Sequence, residues 1–251
     1  MYLDRRKPTY AGGELEFLAQ LYGHWTLLTT ALRTGRPQSG AGAAGMYPTR
    51  YANITELETF ARAMTAGSLS PAKALAAKFP WWNYNTIIDV GTAQGCVPVQ
   101  IVQAHRHMTG GGFDLPALKQ LFDNHVQEHG LSERLRFYAG DFFRDPFPRA
   151  DVLVMGRVLH NWDLATKKML LRKAYDALPG GGALIVYERL IDNERRVNAA
   201  GLLASLNMLI MTEGGFDFSA ADCTAWMEET GFHNMSTEPL TDEQSMVVGH
   251  R

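Results

Sequence analysis

Cysteine is scarce: Cys96 and Cys223 are the only two in 251 residues. Neither sits in a Cys-x-x-Cys or Cys/His ligand spacing, so a disulfide scaffold and a zinc module are excluded, and a reducing, cytoplasmic setting without a metal is expected. Surplus positive charge is missing too. The 24 Lys and Arg stand against 26 Asp and Glu, for a formal net charge of −2, with no long basic run. No nucleic acid is expected as main partner, because neutralising phosphates needs a basic face. No apolar run approaches the ~18 residues of a membrane span, and the opening MYLDRRKPTYAGG has no signal-peptide core. No membrane partner is expected. What remains, 46% hydrophobic and 20% charged, suits one sizeable α/β core with a smaller appendage.

The appendage comes first. Over residues 13–33, Leu18, Leu21, Trp25, Leu28 and Leu32 recur at spacings of three and four, an apolar seam on one helix. Residues 34–51, rich in Gly, Pro and Ala, read as a loop, and residues 54–66 are helical again. From residue 80 strands alternate with helices, the pattern of a mostly parallel sheet covered on both faces. Strands are expected at 86–90, 110–113, 136–139, 151–155 and 183–187, with a closing hairpin at 235–237 and 245–249. The run Gly110, Gly111 and Gly112 makes the second strand the weakest expectation. Helices are expected at 97–105, 117–129, 164–178, 198–211 and 220–230.

The most informative segment is TIIDVGTAQG, residues 86–95. A β-branched run ends in an acid and passes through a tight turn into an apolar helix, the entrance to a nucleotide pocket. A dinucleotide fingerprint starting at Gly91 would need glycines where Ala93 and Cys96 stand. An acid followed by Gly91 and Gly95 suits a ligand with no pyrophosphate to cradle, such as S-adenosylmethionine. Acids also mark later strand ends: Asp89, Asp114 and Asp141 follow three successive strands. Asp114 lies 19 positions beyond Gly95, close to the ~20 expected of an acid that binds ribose hydroxyls. Each acid also reads as a helix cap or turn former. Asp141 with Phe142 offers an adenine site, a carboxylate for the exocyclic amine and a ring for the base.

The segments DVGTAQG (89–95), GFDLP (112–116), GDFF (140–143) and RVLHNWD (157–163), in this order and spacing, resemble the small-molecule O-methyltransferases of the plant caffeate and bacterial antibiotic-tailoring type, which include acetylserotonin O-methyltransferase. The resemblance implies a class I methyltransferase fold, a Rossmann-like and mostly parallel α/β sheet with an antiparallel last strand. It further implies S-adenosylmethionine as cofactor, held by Asp89, Gly91, Thr92, Gly95, Asp114, Leu115, Asp141, Phe142, Gly156 and Arg157. Phe60, Met64 and Ser68 resemble the family's F-x-x-x-M-x-x-x-S segment, in which Met64 would flank the reacting centre and Ser68 the cofactor's amino-acid end.

By the same resemblance His160 is the catalytic base, oriented by Glu188 and Asp217. A phenol of pKa near ~10 is a poor nucleophile at neutral pH, and an imidazole of pKa near ~6.5 can take its proton. Asp217 departs from the glutamate usual in plant relatives and reaches less far. Gly156 stands where plant members place a lysine, a contact then absent or supplied by Arg157 or by backbone. His105 and His107 read as solvated helix-end residues. Family members also carry an N-terminal winged-helix dimerisation domain, most of which would precede this chain. The expected division is therefore a helical N-terminal segment over 1–70 and a cofactor-binding catalytic domain over 71–251. The expected activity is methyl transfer to a hydroxyl of a small aromatic or polyketide-like acceptor. A homodimer is expected through residues 14–33, with part of the seam packed on the chain's own catalytic domain. N-methylation, decarboxylation or hydroxylation with the same cofactor, or a silent cofactor-binding subunit, remain the alternatives.

Overall fold

The computed structural model describes residues 12–39 and 54–251. Seven strands form one sheet: β1 (Thr86–Val90), β2 (Thr109–Asp114), β3 (Leu135–Ala139), β4 (Val152–Gly156), β5 (Ala183–Glu188), β6 (His233–Pro239) and β7 (Ser245–His250). Their order is β3-β2-β1-β4-β5-β7-β6, and β7 alone runs antiparallel to its neighbours β5 and β6. This is the doubly wound sheet expected from the sequence. Successive strands after β1 first step outward to β2 and β3 and then return to the other side at β4, which leaves a crevice between β1 and β4.

The sheet is covered on both faces by α4 (Cys96–Ala104), α5 (Lys119–Glu128), α6 (Leu164–Ala177) and α8 (Ala220–Thr230), preceded by α1 (Gly12–Trp25), α2 (Leu28–Thr34) and α3 (Ile54–Lys78), with α7 (Ala199–Met211) between β5 and α8. Period-2 alternation divides the core. Ile87, Val152, Val154, Ile185 and Tyr187 pack toward α3, α4 and α5, whereas Ile88, Leu153, Met155, Leu184 and Val186 pack toward α6 and α8. Side-chain caps define where helices start. Asp163 accepts the Thr166 N–H at 2.8 Å at the start of α6, and Ser219 with Asp222 closes a capping box on α8.

Two sequence expectations shift. The single helix expected over 13–33 is broken into α1 and α2 at Thr26 and Leu27, where the Thr26 hydroxyl bonds the Gly23 carbonyl at 2.7 Å. That hydroxyl competes with the helical ladder. Most of the loop expected at 34–51 lies outside the described residues. The seam is partly internal, as expected. Leu21 is buried against Ile210 and Met211 of α7 with Trp25 and Leu28 half-buried beside it, and the Trp25 indole donates to Asn207 Oδ1 at 3.2 Å. Leu18 and Leu32 stay exposed. His105 and His107 are not simply solvated: His105 Nε2 meets the Ala76 carbonyl at 2.7 Å and His107 Nε2 the Tyr84 carbonyl at 3.0 Å. They tie the end of α4 to the segment entering β1. The helix α3 runs through residue 70, so one continuous helix joins the N-terminal segment to the sheet domain.

The glycine-rich β2 does form, because its neighbours leave no room for anything larger. A Cβ at Gly110 (φ +150°) would lie 1.8 Å from the Ile87 carbonyl oxygen, and one at Gly111 would lie 1.9 Å from the Arg136 carbonyl oxygen. Low strand propensity is overridden by close backbone approach. Gly111→Ala must therefore spread β2 from β3, and it is expected to destabilise the protein by at least ~3 kcal/mol in urea unfolding, the upper end of ordinary overpacking.

Candidate active site

A cavity of about 620 Å³ opens beyond the carboxyl ends of the central strands. It lies at the strand-order reversal, where open α/β sheets bind ligands. Asp89, Gly91 and Thr92 reach it from the end of β1, Asp114 and Leu115 from β2, and Asp141 and Phe142 from the loop after β3. Gly156, Arg157 and His160 line it from β4 onward. Met64 and Ser68 close it from α3, and Asn207, Met208 and Met211 from α7. Of the residues expected at the site, Gly95, Glu188 and Asp217 do not line the cavity. Gly95 starts α4 with φ +84°, and its bare Cα lets Phe122 pack against the turn, since a Cβ would lie 2.6 Å from that ring. It acts on the turn's shape.

The turn after β1 is held from β2. Ala93 adopts φ +50°, a left-handed conformation that costs a non-glycine residue about 1–2 kcal/mol. Its N–H donates to Asp114 Oδ2 at 2.9 Å, and Asp114 Oδ1 accepts the Leu115 N–H at 2.8 Å. Asp114 is thus a turn former as well as a cavity residue. Asp141 also shapes its own turn, with Oδ1 accepting the Phe143 N–H at 2.9 Å. Behind it Phe142, Phe143 and Trp162 form an edge-to-face cluster, the Phe143 and Trp162 centroids 4.8 Å apart.

Deeper in, three ionisable groups meet. His160 sits in a short 3-10 turn, Leu159–Asn161, that leads from β4 toward α6. Its Nδ1 lies 3.3 Å from Asp217 Oδ1 and 3.5 Å from Glu188 Oε2, and its backbone N–H donates to Glu188 Oε1 at 3.3 Å. Asp217, despite its shorter side chain, is the closer of the two. Both carboxylates address the same ring nitrogen, which leaves Nε2 for the cavity. Burial alone would lower the His160 pKa, but Glu188 and Asp217 outweigh it and raise it. Among the described residues this trio is also the one cluster whose atoms could hold a metal ion, with ligand atoms within 4.8 Å of one another.

Two residues of this region were not singled out in the sequence. Lys167 is fully buried on α6, its ammonium donating to the Trp162 carbonyl and lying 3.4 Å from the Phe216 ring centroid. Burial lowers its pKa to about 8 against the pull of Glu188 and Asp217. The available signal was a lysine on the apolar face of α6, three and four residues before Leu170 and Leu171. Tyr187 is the other. It lines the cavity, and its ring lies over Gly156.

Burial pushes Asp89 up to about 7, Asp114 to about 6 and Glu188 to about 7. These groups therefore bind protons more tightly in the folded than in the unfolded chain. The stability they contribute is present below their unfolded pKa near ~4 and is lost as pH rises toward about 7. The raised pKa of His160 acts in the same direction at higher pH. Each extra proton costs up to ~1.4 kcal/mol per pH unit, or roughly 3 °C in the unfolding midpoint for a domain of this size. The midpoint of the ligand-free protein is expected to fall between pH 5 and 7 (about one unit either side of the Asp114 value). Asp89→Asn should flatten that slope, as read by calorimetry in matched buffers.

A family model described as the O-methyltransferase domain matches residues 25–233. Over the whole chain and 74% of the relative's length, the protein is 36% identical to the tetracenomycin polyketide synthesis 8-O-methyl transferase TcmO of Streptomyces glaucescens. It is also 36% identical to the N,N-dimethyltransferase OxyT of Streptomyces rimosus, over 92% of this chain and 68% of OxyT. Among solved structures, human N-acetylserotonin methyltransferase in complex with S-adenosylmethionine superposes with a TM-score of 0.92 at 25% identity, covering 100% of this chain and 73% of that one. The sheet order, the cavity at its reversal and these matches agree: the chain belongs to the O-methyltransferase domain family and is an S-adenosylmethionine-dependent methyltransferase.

Proposed function

We propose that the protein methylates a hydroxyl of a small aromatic or polyketide-like acceptor, with His160 as general base. The observation that carries this reading is the trio itself. Two buried carboxylates bracket His160 Nδ1, and the ring faces a cavity whose other walls fit the cofactor. Asp89 fits the cofactor's ammonium group. It is 4% exposed, faces the cavity, and is made costly as an anion by burial, so it has the chemistry to take a cationic amino group. Asp114 and Leu115 would take the ribose, Asp141 and Phe142 the adenine, and Met64, Ser68 and Arg157 the sulfonium and amino-acid side. The bound cofactor supplies an activated methyl group.

The residues then have separable tasks. His160 Nε2 accepts the acceptor's hydroxyl proton, and Glu188 and Asp217 hold the ring and stabilise its charged form. The N-terminal segment, residues 1–70, serves as lid through Leu21, Phe60 and Met64. Leu15, Leu18 and Tyr22, exposed at spacings of three and four on α1, form the face we assign to a second copy of the chain. Two free, buried cysteines fit a cytoplasmic setting, and among the described residues no helix is long and apolar enough to cross a membrane. The relation to OxyT favours an amine acceptor as a second reading.

Turnover against a panel of phenols and aromatic amines tests both readings. His160→Ala is expected to slow methylation of a neutral phenol ~100-fold or more while leaving cofactor affinity nearly intact, with partial recovery on an acceptor already ionised. Because the base must be neutral, the rate rises with pH through the raised pKa of His160. Asp217→Asn removes one of the charges that raise it, so the acidic limb should move to lower pH. Preferred turnover of amines over every phenol would move the assignment to N-methylation. For assembly, light scattering should give a dimer for the parent chain and a monomer for Tyr22→Glu. A parent monomer would show that the α1 face has no copy to meet. A charge at Trp25 would instead probe a contact within the chain, because its indole is tied to Asn207.

A further inference from the structure

The end of β5 carries two polar side chains that the pleat sends to opposite faces. Glu188 joins His160 on one face, and Tyr187 turns to the other, among the residues packed toward α3 and α4. Tyr187 is 1% exposed, yet it lines the cavity. Gly156 pairs with Tyr187 in the β4–β5 register, and a Cβ there would lie 2.0 Å from the Tyr187 ring and 2.4 Å from its hydroxyl. The glycine is therefore the floor on which the phenol lies. The ring's hydroxyl has Ser68 of α3, Asp89 of β1, Cys96 of α4 and Arg157 after β4 as its polar and charged neighbours, and Ser68, Asp89, Cys96 and Arg157 line the same cavity. Arg157 has φ +56°, and its N–H donates to the Tyr187 carbonyl at 3.0 Å. A strained residue bonded to the same strand end holds its positive side chain at the cavity wall.

These groups separate by charge. Asp89 offers a buried anion, whereas the Tyr187 and Ser68 hydroxyls and Arg157 offer donors and a positive charge beside it. An amino-acid end with an ammonium and a carboxylate matches that division. We propose that the Tyr187 hydroxyl is a cofactor-positioning donor that, with Ser68, receives the carboxylate of the cofactor's amino-acid end, and that Gly156 is glycine because the ring lies across it. This rests on the cofactor placement above, in which Asp89 takes the amino group.

The test compares two ligands that share the nucleoside and differ in the amino-acid end: S-adenosylhomocysteine and 5′-methylthioadenosine. Calorimetry should show Tyr187→Phe binding S-adenosylhomocysteine about tenfold or more weakly, the loss of one charge-assisted hydrogen bond, with methylthioadenosine unchanged. Gly156→Ala, which displaces the ring, should give the same selective loss. Asp114→Ala, at the ribose, should weaken both ligands together. Equal weakening of both by Tyr187→Phe would make the tyrosine a packing residue and overturn the proposal, as would unchanged affinity for S-adenosylhomocysteine. A parent protein that binds the two ligands equally would overturn the Asp89 placement itself, and the Tyr187 role with it. Unfolding midpoints of the variants, measured without ligand, separate misfolding from lost contacts.

Discussion

Removing four carboxylates from water at one edge of the sheet is the constraint on which the rest depends. Asp89, Asp114, Glu188 and Asp217 are each 7% exposed or less. An unpaired buried carboxylate costs several kcal/mol or takes up a proton instead, so each must find partners at the same edge. Asp114 finds two backbone N–H groups and in return holds Ala93 in its left-handed turn. Glu188 and Asp217 find the His160 imidazole, with the Lys167 ammonium buried nearby. If all four groups are charged, that cluster is neutral overall, so the lysine makes a pair of acids tolerable around one imidazole. The pKa of Asp89 is raised to about 7, mainly by burial. A cationic ligand that favours the charged form of Asp89 would couple binding to stability.

The sheet's pleat then keeps two chemistries apart while placing them in one cavity. At the end of β5, consecutive residues serve different ends: Tyr187 faces the α3 side and Glu188 the histidine. At the end of β4, Gly156 clears space for that tyrosine and the chain continues directly to His160. Tyr187 and His160 thus line one cavity although they lie on opposite faces of the sheet.

The sheet was legible in the sequence because its signals are local. TIIDV followed by a glycine turn, and acids after successive strands, depend on residues close in sequence, and all three strand-end acids reach the cavity. The His160 trio was legible only through the family resemblance, since its members lie 28 and 57 positions apart. The doubt over β2 came from propensity, which does not register how closely the Ile87 and Arg136 carbonyls approach. The break at Thr26 was missed because apolar periodicity continues across it while a hydroxyl interrupts the ladder. Tyr187 and Lys167 were missed for a common reason. Each sits where an apolar side chain would also satisfy the pattern, and its polar atom has meaning only once other elements are packed around it.

The helical wall of the cavity obeys a looser rule than the strand ends. It is built by helices, with Asn207, Met208 and Met211 from α7, Phe60 and Met64 from α3, and Leu21 from α1. No strand register fixes these side chains, and methionine adapts to irregular shapes. The only side-chain tie between α1 and α7 among the described hydrogen bonds is Trp25 to Asn207, so the N-terminal helices bear on this wall mainly through apolar packing on Ile210 and Met211. This wall is thus drawn from α1, α3 and α7, whereas Asp89 and Asp114 belong to the strands themselves.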